Sequence, residues 1–364
     1  MLQIQLDTAC EGPLALNDNA FELCREFIKP HGDRFFSQVS RYGDYLADMA
    51  KKPAYQAGDT LKLILPFLKA RGVTNAMSRD FSTQNIRLLA GAEEAYKFLH
   101  RFGFPIFALS TSYRPFAEAV GSKLGFDAEH VLGTELDLDR YPLSPAEAEE
   151  LRRLDEEIAA APAIELPAGV SSLEALPAPV QEAIGRLDRI FRERLPQLAI
   201  GAIYREVKPV VGGAEKAKAV TDSLASSGLK LADTIYVGDD LTDVQAFEAV
   251  RAGGGLAISF NGNRYAVKAA EVVVVSDCAW SVGMLAAIFR LWGKDGVLEV
   301  AAPERRDKSR ALVLPEEMIE PIAMGLQGHQ FNIYLSTGPD LEKLIQESEA
   351  MRAKLRGEAG AALG

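Results

Sequence analysis

Val237-Gly-Asp-Asp-Leu-Thr-Asp243 closes a short apolar run, Thr234 to Val237, and opens a helical pattern. In an open α/β sheet, ligands bind outside the carboxyl ends of the strands, so Asp239 and Asp240 fall at the edge where chemistry is expected. Asp243, one helical turn on, can point back toward them. Clustered carboxylates without sulfur or imidazole nearby suit a hard, oxygen-preferring cation, and beside a phosphate that cation is usually Mg²⁺. The competing reading is an acidic first turn favoured by the helix dipole, which needs no metal.

Outward from this stretch, the runs Leu2 to Leu6, Pro105 to Leu109, Leu256 to Phe260 and Val272 to Val275 are each of strand length. Their near-continuous apolarity fits strands covered on both faces, and the intervening helical patterns predict an α/β fold with a parallel, Rossmann-like sheet. Residues 1–14, 96–136 and 197–300 make up this expected core. The stretch 15–95 is far longer than a crossover needs. Its helical patterns, Asp18 to Phe27, Arg34 to Met49 and Thr60 to Ala70, predict an inserted helical subdomain, with Asp59 or Thr60 as a helix cap. A second insertion, 137–196, is punctuated by prolines and leaves room for helices at Ala146 to Ala159 and Ala178 to Arg194. The extension 301–364 offers an extra strand, Phe331 to Leu335, and an amphipathic helix, Leu341 to Leu355, that either covers the core or joins protomers in a homo-oligomer.

Fifty-one acidic against forty basic side chains give a formal charge of −11, which argues against nucleic acid or an anionic membrane as the main partner. The most apolar late stretch, Ala270 to Trp292, carries Glu271, Asp277 and Arg290 and does not read as a membrane span. Cys10, Cys24 and Cys278 show no Cys-x-x-Cys spacing, and no basic, apolar leader is visible at the start. A cytoplasmic protein is the expectation. His31, His100, His130 and His329 have no metal-ligand spacing and read as structural or surface residues.

Glu11-Gly12-Pro13-Leu14, after the first strand, resembles the first motif of the haloacid dehalogenase (HAD) phosphatase superfamily, Asp-x-Asp-Gly-Thr, in the variant with Glu at the second acid. Pro105 to Ser112 resembles the second motif, in which a strand delivers a Ser or Thr to the phosphate; Ser110 is the first choice and Thr111 the second. The third motif requires a lysine, for which Lys216, opening a helix, precedes Lys208, in a loop. Val237 to Asp243 resembles the fourth. All four stand in family order, which is more specific than any one alone. The wider text, including Cys10 to Leu14, Asn17 to Ala20, Gly32 to Phe36 and Gly58 to Lys69, is similar to an archaeal-type subgroup known as energy-converting hydrogenase A subunit R.

The resemblance implies a Mg²⁺-dependent phosphomonoesterase for a small phosphorylated metabolite, working through an aspartyl phosphate, with 15–95 as a helical cap over the site. Glu11 would act as acid and then base. The metal would be held by the position-9 carboxylate, the backbone carbonyl of Glu11 and Asp239, supported by Asp243 or Asp240. Ser110 or Thr111 and Lys216 or Lys208 would hold the phosphoryl oxygens, and Arg34, Arg41 and Tyr42 in the cap, with Asn261 after a strand, would meet substrate. Position 9 is Ala9. Alanine cannot attack phosphorus or bind a metal, so covalent catalysis is denied to the chain as written. Because the other motifs are filled, a replaced aspartate is favoured over a naturally degenerate member. The alternative function is a non-catalytic HAD-fold binding or regulatory subunit of a redox complex, and a phosphotransferase or mutase would share every motif.

Overall fold

In a computed structural model, residues 2–53, 55–167, 169–207, 210–302, 313–338 and 340–357 are described, with the Arg205 side chain excepted. Strand β1 (Gln5–Thr8) leads into helices α1 (Asn19–Phe27), α2 (Gly32–Asp44), α3 (Thr60–Ala70), α4 (Asn75–Gln84) and α5 (Ala92–Arg101). β2 (Ile106–Tyr113), α6 (Arg114–Leu124) and β3 (Val131–Thr134) follow, then α7 (Pro145–Ala160), α8 (Ala178–Asp188) and a short α9 (Ile203–Glu206). The chain continues through α10 (Ala214–Ser227), β4 (Thr234–Gly238), α11 (Val244–Ala252), β5 (Leu256–Phe260), α12 (Arg264–Ala269) and β6 (Val272–Ser276). It then forms α13 (Trp280–Ala301), α14 (Glu316–Leu326), β7 (Phe331–Leu335) and α15 (Leu341–Arg356).

The strands form one sheet in the order β3-β2-β1-β4-β5-β6-β7, parallel except for β7, which pairs antiparallel with β6. Strand order reverses at β1, whose neighbours are β2 and β4. That reversal opens a crevice at the carboxyl ends, the place such sheets offer a ligand. The valine run Val272 to Val275 is buried on both faces, each side chain contributing roughly 1.5–3 kcal/mol relative to exposure.

The first strand begins three residues later than its apolar pattern predicts. Leu2 is left exposed, whereas Gln5 and Asp7 are buried and bonded to one another, Gln5 Nε2 donating to Asp7 Oδ1 at 2.7 Å. Both helical insertions share one apolar cluster: Phe35, Phe67 and Leu68 from the first pack with Leu151, Ile184 and Phe191 from the second. Asp18, the first residue of its predicted pattern, caps α1 by accepting the Phe21 N–H. Asp59 precedes α3 without capping a backbone N–H of it, its carboxylate accepting from the Gln56 N–H at 3.1 Å and pairing with Lys62 Nζ at 2.7 Å. Among the described residues, no helix is long and apolar enough to cross a membrane.

Candidate functional site

Ala9 leaves β1 at the reversal point, its N–H bonded to Val237 O at 2.8 Å, so the loop after β1 lies against the loop after β4. Two glycines permit that approach. Gly12 has φ +87°, and a Cβ there would stand 2.5 Å from the Asp239 carboxyl carbon; a Cβ on Gly238 would stand 2.4 Å from that of Asp243. The oxygens of Asp239, Asp240 and Asp243 come within 4.8 Å of one another, a spacing that could hold a metal ion.

Each of these carboxylates is already engaged. Asp243 Oδ1 accepts from Lys216 Nζ and from the Tyr236 hydroxyl, both at 2.6 Å, and its Oδ2 accepts from the N–H groups of Asp239 and Asp240 at 2.8 and 3.1 Å. Asp240 Oδ1 accepts from the N–H and hydroxyl of Thr242 at 2.8 and 2.6 Å. Asp239 Oδ2 accepts from Arg352 Nη1 and, at 3.1 Å, from Arg356 Nη1. Burial alone would raise the Asp240 carboxyl, but Lys216 and Arg352 outweigh it and hold it below the ordinary value. Asp239 is pushed up to about 6, burial and Asp240 prevailing over its arginines. Lys216, although buried, is held above the ordinary lysine value by the acids around it.

This donor set does not fit Mg²⁺. A magnesium site needs anionic oxygens free to approach an octahedral ion, but Ala9 offers none and the buried Asp239 carboxylate carries two guanidinium groups.

Glu11 stands across the crevice. Its Oε1 accepts from the Ser112 hydroxyl at 2.6 Å and from the Asn19 N–H at 2.7 Å. Burial, reinforced by Asp18, pushes its carboxyl up to about 8, against the opposing pull of Arg356 and these two hydrogen bonds. A proton held there at neutral pH is what a general acid requires. Burial pushes the neighbouring Cys10 thiol up to about 12, which leaves it a packing residue. Asp7, further back on β1, is fully buried against Ser223 of α10 and has no access to the crevice.

A cavity of about 90 Å³ lies over these groups, room for several water-sized groups. Glu11, Thr111, Ser112, Asp240 and Thr242 form its floor, Arg352 and Arg356 one wall, and Phe36, Asp44 and Gly58 of the first insertion its cover. Two residues expected to meet phosphate are absent from this lining. Ser110 is buried inside β2 with no hydrogen-bond partner for its hydroxyl, because the strand runs on to Tyr113 and brings Thr111 and Ser112 to the opening instead. Lys216 lies one layer down, bonded to Thr242 Oγ1 at 2.9 Å. Lys208 lies outside the described residues.

The residues expected to contact substrate from the first insertion do not line this cavity. Arg34 is exposed on α2, Arg41 bonds Asp44 at 3.3 Å, and Tyr42 is fully buried with its hydroxyl on Asp188 at 2.6 Å. Asn261 ties β5 to β6, donating to Ser276 O and accepting from Ser276 N–H at 2.7 and 2.9 Å. Ser112, Thr242, Arg352 and Arg356 were not singled out from sequence. The arginines had a readable signal: Leu344, Ser348, Arg352 and Arg356 recur at i, i+4 spacing, so the stripe that carries Leu344 into the core carries both guanidiniums with it.

No family model and no curated protein matches the chain. Solved structures do match: that of gene product AF1437 from Archaeoglobus fulgidus superposes with a TM-score of 0.78, at 31% identity over 98% of each chain.

Proposed function

The chain belongs to one family with the Archaeoglobus fulgidus gene product, and from that premise we propose that it is a HAD-type protein that binds a small phosphomonoester without hydrolysing it. The observation that carries this reading is the convergence of Glu11, Thr111, Ser112, Asp240 and Thr242 on one cavity at the strand-order reversal, with Ala9 as the first residue past β1. In this reading the Thr111 and Ser112 hydroxyls and the two arginines meet phosphoryl oxygens. Glu11, protonated, donates to the bridging oxygen of the ester, the role it would hold as general acid in a hydrolase. With Ala9 where an attacking carboxylate would stand, the phosphorus is held and not attacked. The two guanidiniums on Asp239 favour a naturally degenerate member over a replaced aspartate, because a single substitution at position 9 would not bring them there.

The test is a melting-temperature screen of the chain against a panel of phosphomonoesters, with free phosphate assayed in parallel. A rise of several degrees with one class of ester and no phosphate release is the expected result. Release by the chain as it stands would overturn the non-hydrolytic reading, and the absence of any rise would overturn the phosphomonoester reading.

A further inference from the structure

We propose that Arg352 and Arg356 are the resident cation of this site, shutting out divalent metal and holding the ligand's phosphate in its place. For the identity of the ligand this rests on the phosphomonoester reading; for the exclusion of metal it does not.

The argument starts from where the arginines come from. Helix α15 is fixed against the sheet independently of the site: Leu344 and Ile345 pack with Val267, Val273 and Val275, and the Ser348 hydroxyl donates to Gly262 O at 2.7 Å. Its last two turns therefore deliver Arg352 and Arg356 to a set place. There Arg352 Nη1 bonds both the carboxylate and, at 3.2 Å, the backbone carbonyl of Asp239, two oxygens from one residue as a bound ion would take them. Arg356 Nη1 joins the same carboxylate oxygen, and its Nη2 bonds Asn17 O at 3.0 Å, clamping the loop after β1. These side chains are 2% and 5% exposed, so water cannot easily exchange for them.

Displacing them would cost more than displacing water from a hydrated acid cluster. A divalent ion entering between Asp239 and Asp240 would bring two positive charges beside two buried guanidiniums that already neutralise these acids. The same pair is suited to an anion. Both arginines line the cavity, and the Nε of Arg356 is buried without a hydrogen-bond partner, a donor left over for a ligand. Guanidinium and phosphate match in geometry, and the Thr111 and Ser112 hydroxyls on the floor, which donate to Thr242 at 3.1 Å and Glu11 at 2.6 Å, would turn to the ligand when it binds.

Mn²⁺ binding followed by electron paramagnetic resonance tests the exclusion, and inorganic phosphate titrated in EDTA tests the replacement. The unaltered chain is expected to leave Mn²⁺ free at about millimolar concentration and to bind phosphate equally with EDTA or with Mg²⁺. In the double variant Arg352→Gln, Arg356→Gln, phosphate binding falls by about tenfold or more and Mn²⁺ binding appears. Arg356→Lys covers the case in which the double variant does not fold. It keeps the charge, so it still excludes Mn²⁺, but it loses the planar donor set and weakens phosphate severalfold. Mn²⁺ bound by the unaltered chain, or phosphate binding abolished by EDTA, overturns the inference. Exclusion of Mn²⁺ with no phosphate binding at all overturns the phosphomonoester reading and leaves the exclusion of metal standing.

Discussion

The acid cluster has two sides, and they are neutralised by different means. Toward α10, Asp243 meets one lysine, one tyrosine hydroxyl and two backbone N–H groups, and neither Asp243, Lys216 nor Tyr236 lines the cavity. Toward α15, Asp239 meets two arginines that line the cavity, one of them with a donor to spare. The first side has the character of a strut, closed and saturated. The second, in the proposed reading, is a binding surface whose charge is mounted on α15. A single acidic motif would then be structural on one flank and functional on the other.

The largest effect that separates the sides is on stability. Lys216→Ala strands Asp243 in the interior and is expected to cost about 3–5 kcal/mol in chemical denaturation. Arg352→Gln leaves Arg356 on Asp239 and is expected to cost about 1–2 kcal/mol. Equal losses would break the comparison.

Titration sharpens it next. Burial raises Asp7, behind α10, and Glu11, beside α15, each to about 8, and Asp239 to about 6. The folded state therefore holds protons that the unfolded chain has released, so stability is greatest at low pH and declines as pH rises from about 4 to 8. Each group contributes at most about 1.4 kcal/mol per pH unit while it titrates. Melting temperatures measured from pH 5 to 8 should fall, and Asp7→Asn should flatten the fall without altering phosphate binding.

The smallest effect is on the cavity floor. Ser112→Ala removes a hydrogen bond that lowers the Glu11 carboxyl, so that carboxyl should titrate still higher by NMR, with a stability loss of about 1 kcal/mol.

Most of the sheet was legible because a strand buried on both faces must be apolar along its length, as Val272 to Val275 is. β3 escaped notice: Val131-Leu-Gly-Thr is four residues long and contains a glycine, too brief for a pattern. Helix limits were legible where caps or prolines mark them, as Asp18 and Pro145 do. The candidate site was legible where its residues sit next to strand ends in the sequence, as Glu11, Asp239 and Asp243 do. That Thr111 and Ser112 reach the opening and Ser110 does not was not legible, because only the length of β2 decides which residue stands at its end. Nor were the arginines, whose partner lies 113 residues earlier; pairing at such range is fixed by how α15 docks.

That long range has a consequence for how the protein is made. The bond from Arg356 to Asn17 O joins residues 339 apart, so the crevice cannot take its final form until α15 has left the ribosome. Until then Asp239 and Asp240 lack their arginines, and the nascent protein presents a naked acidic mouth that would repel an anionic ligand. In the proposed reading, competence to bind arrives with α15 and not with the strands that carry the acids.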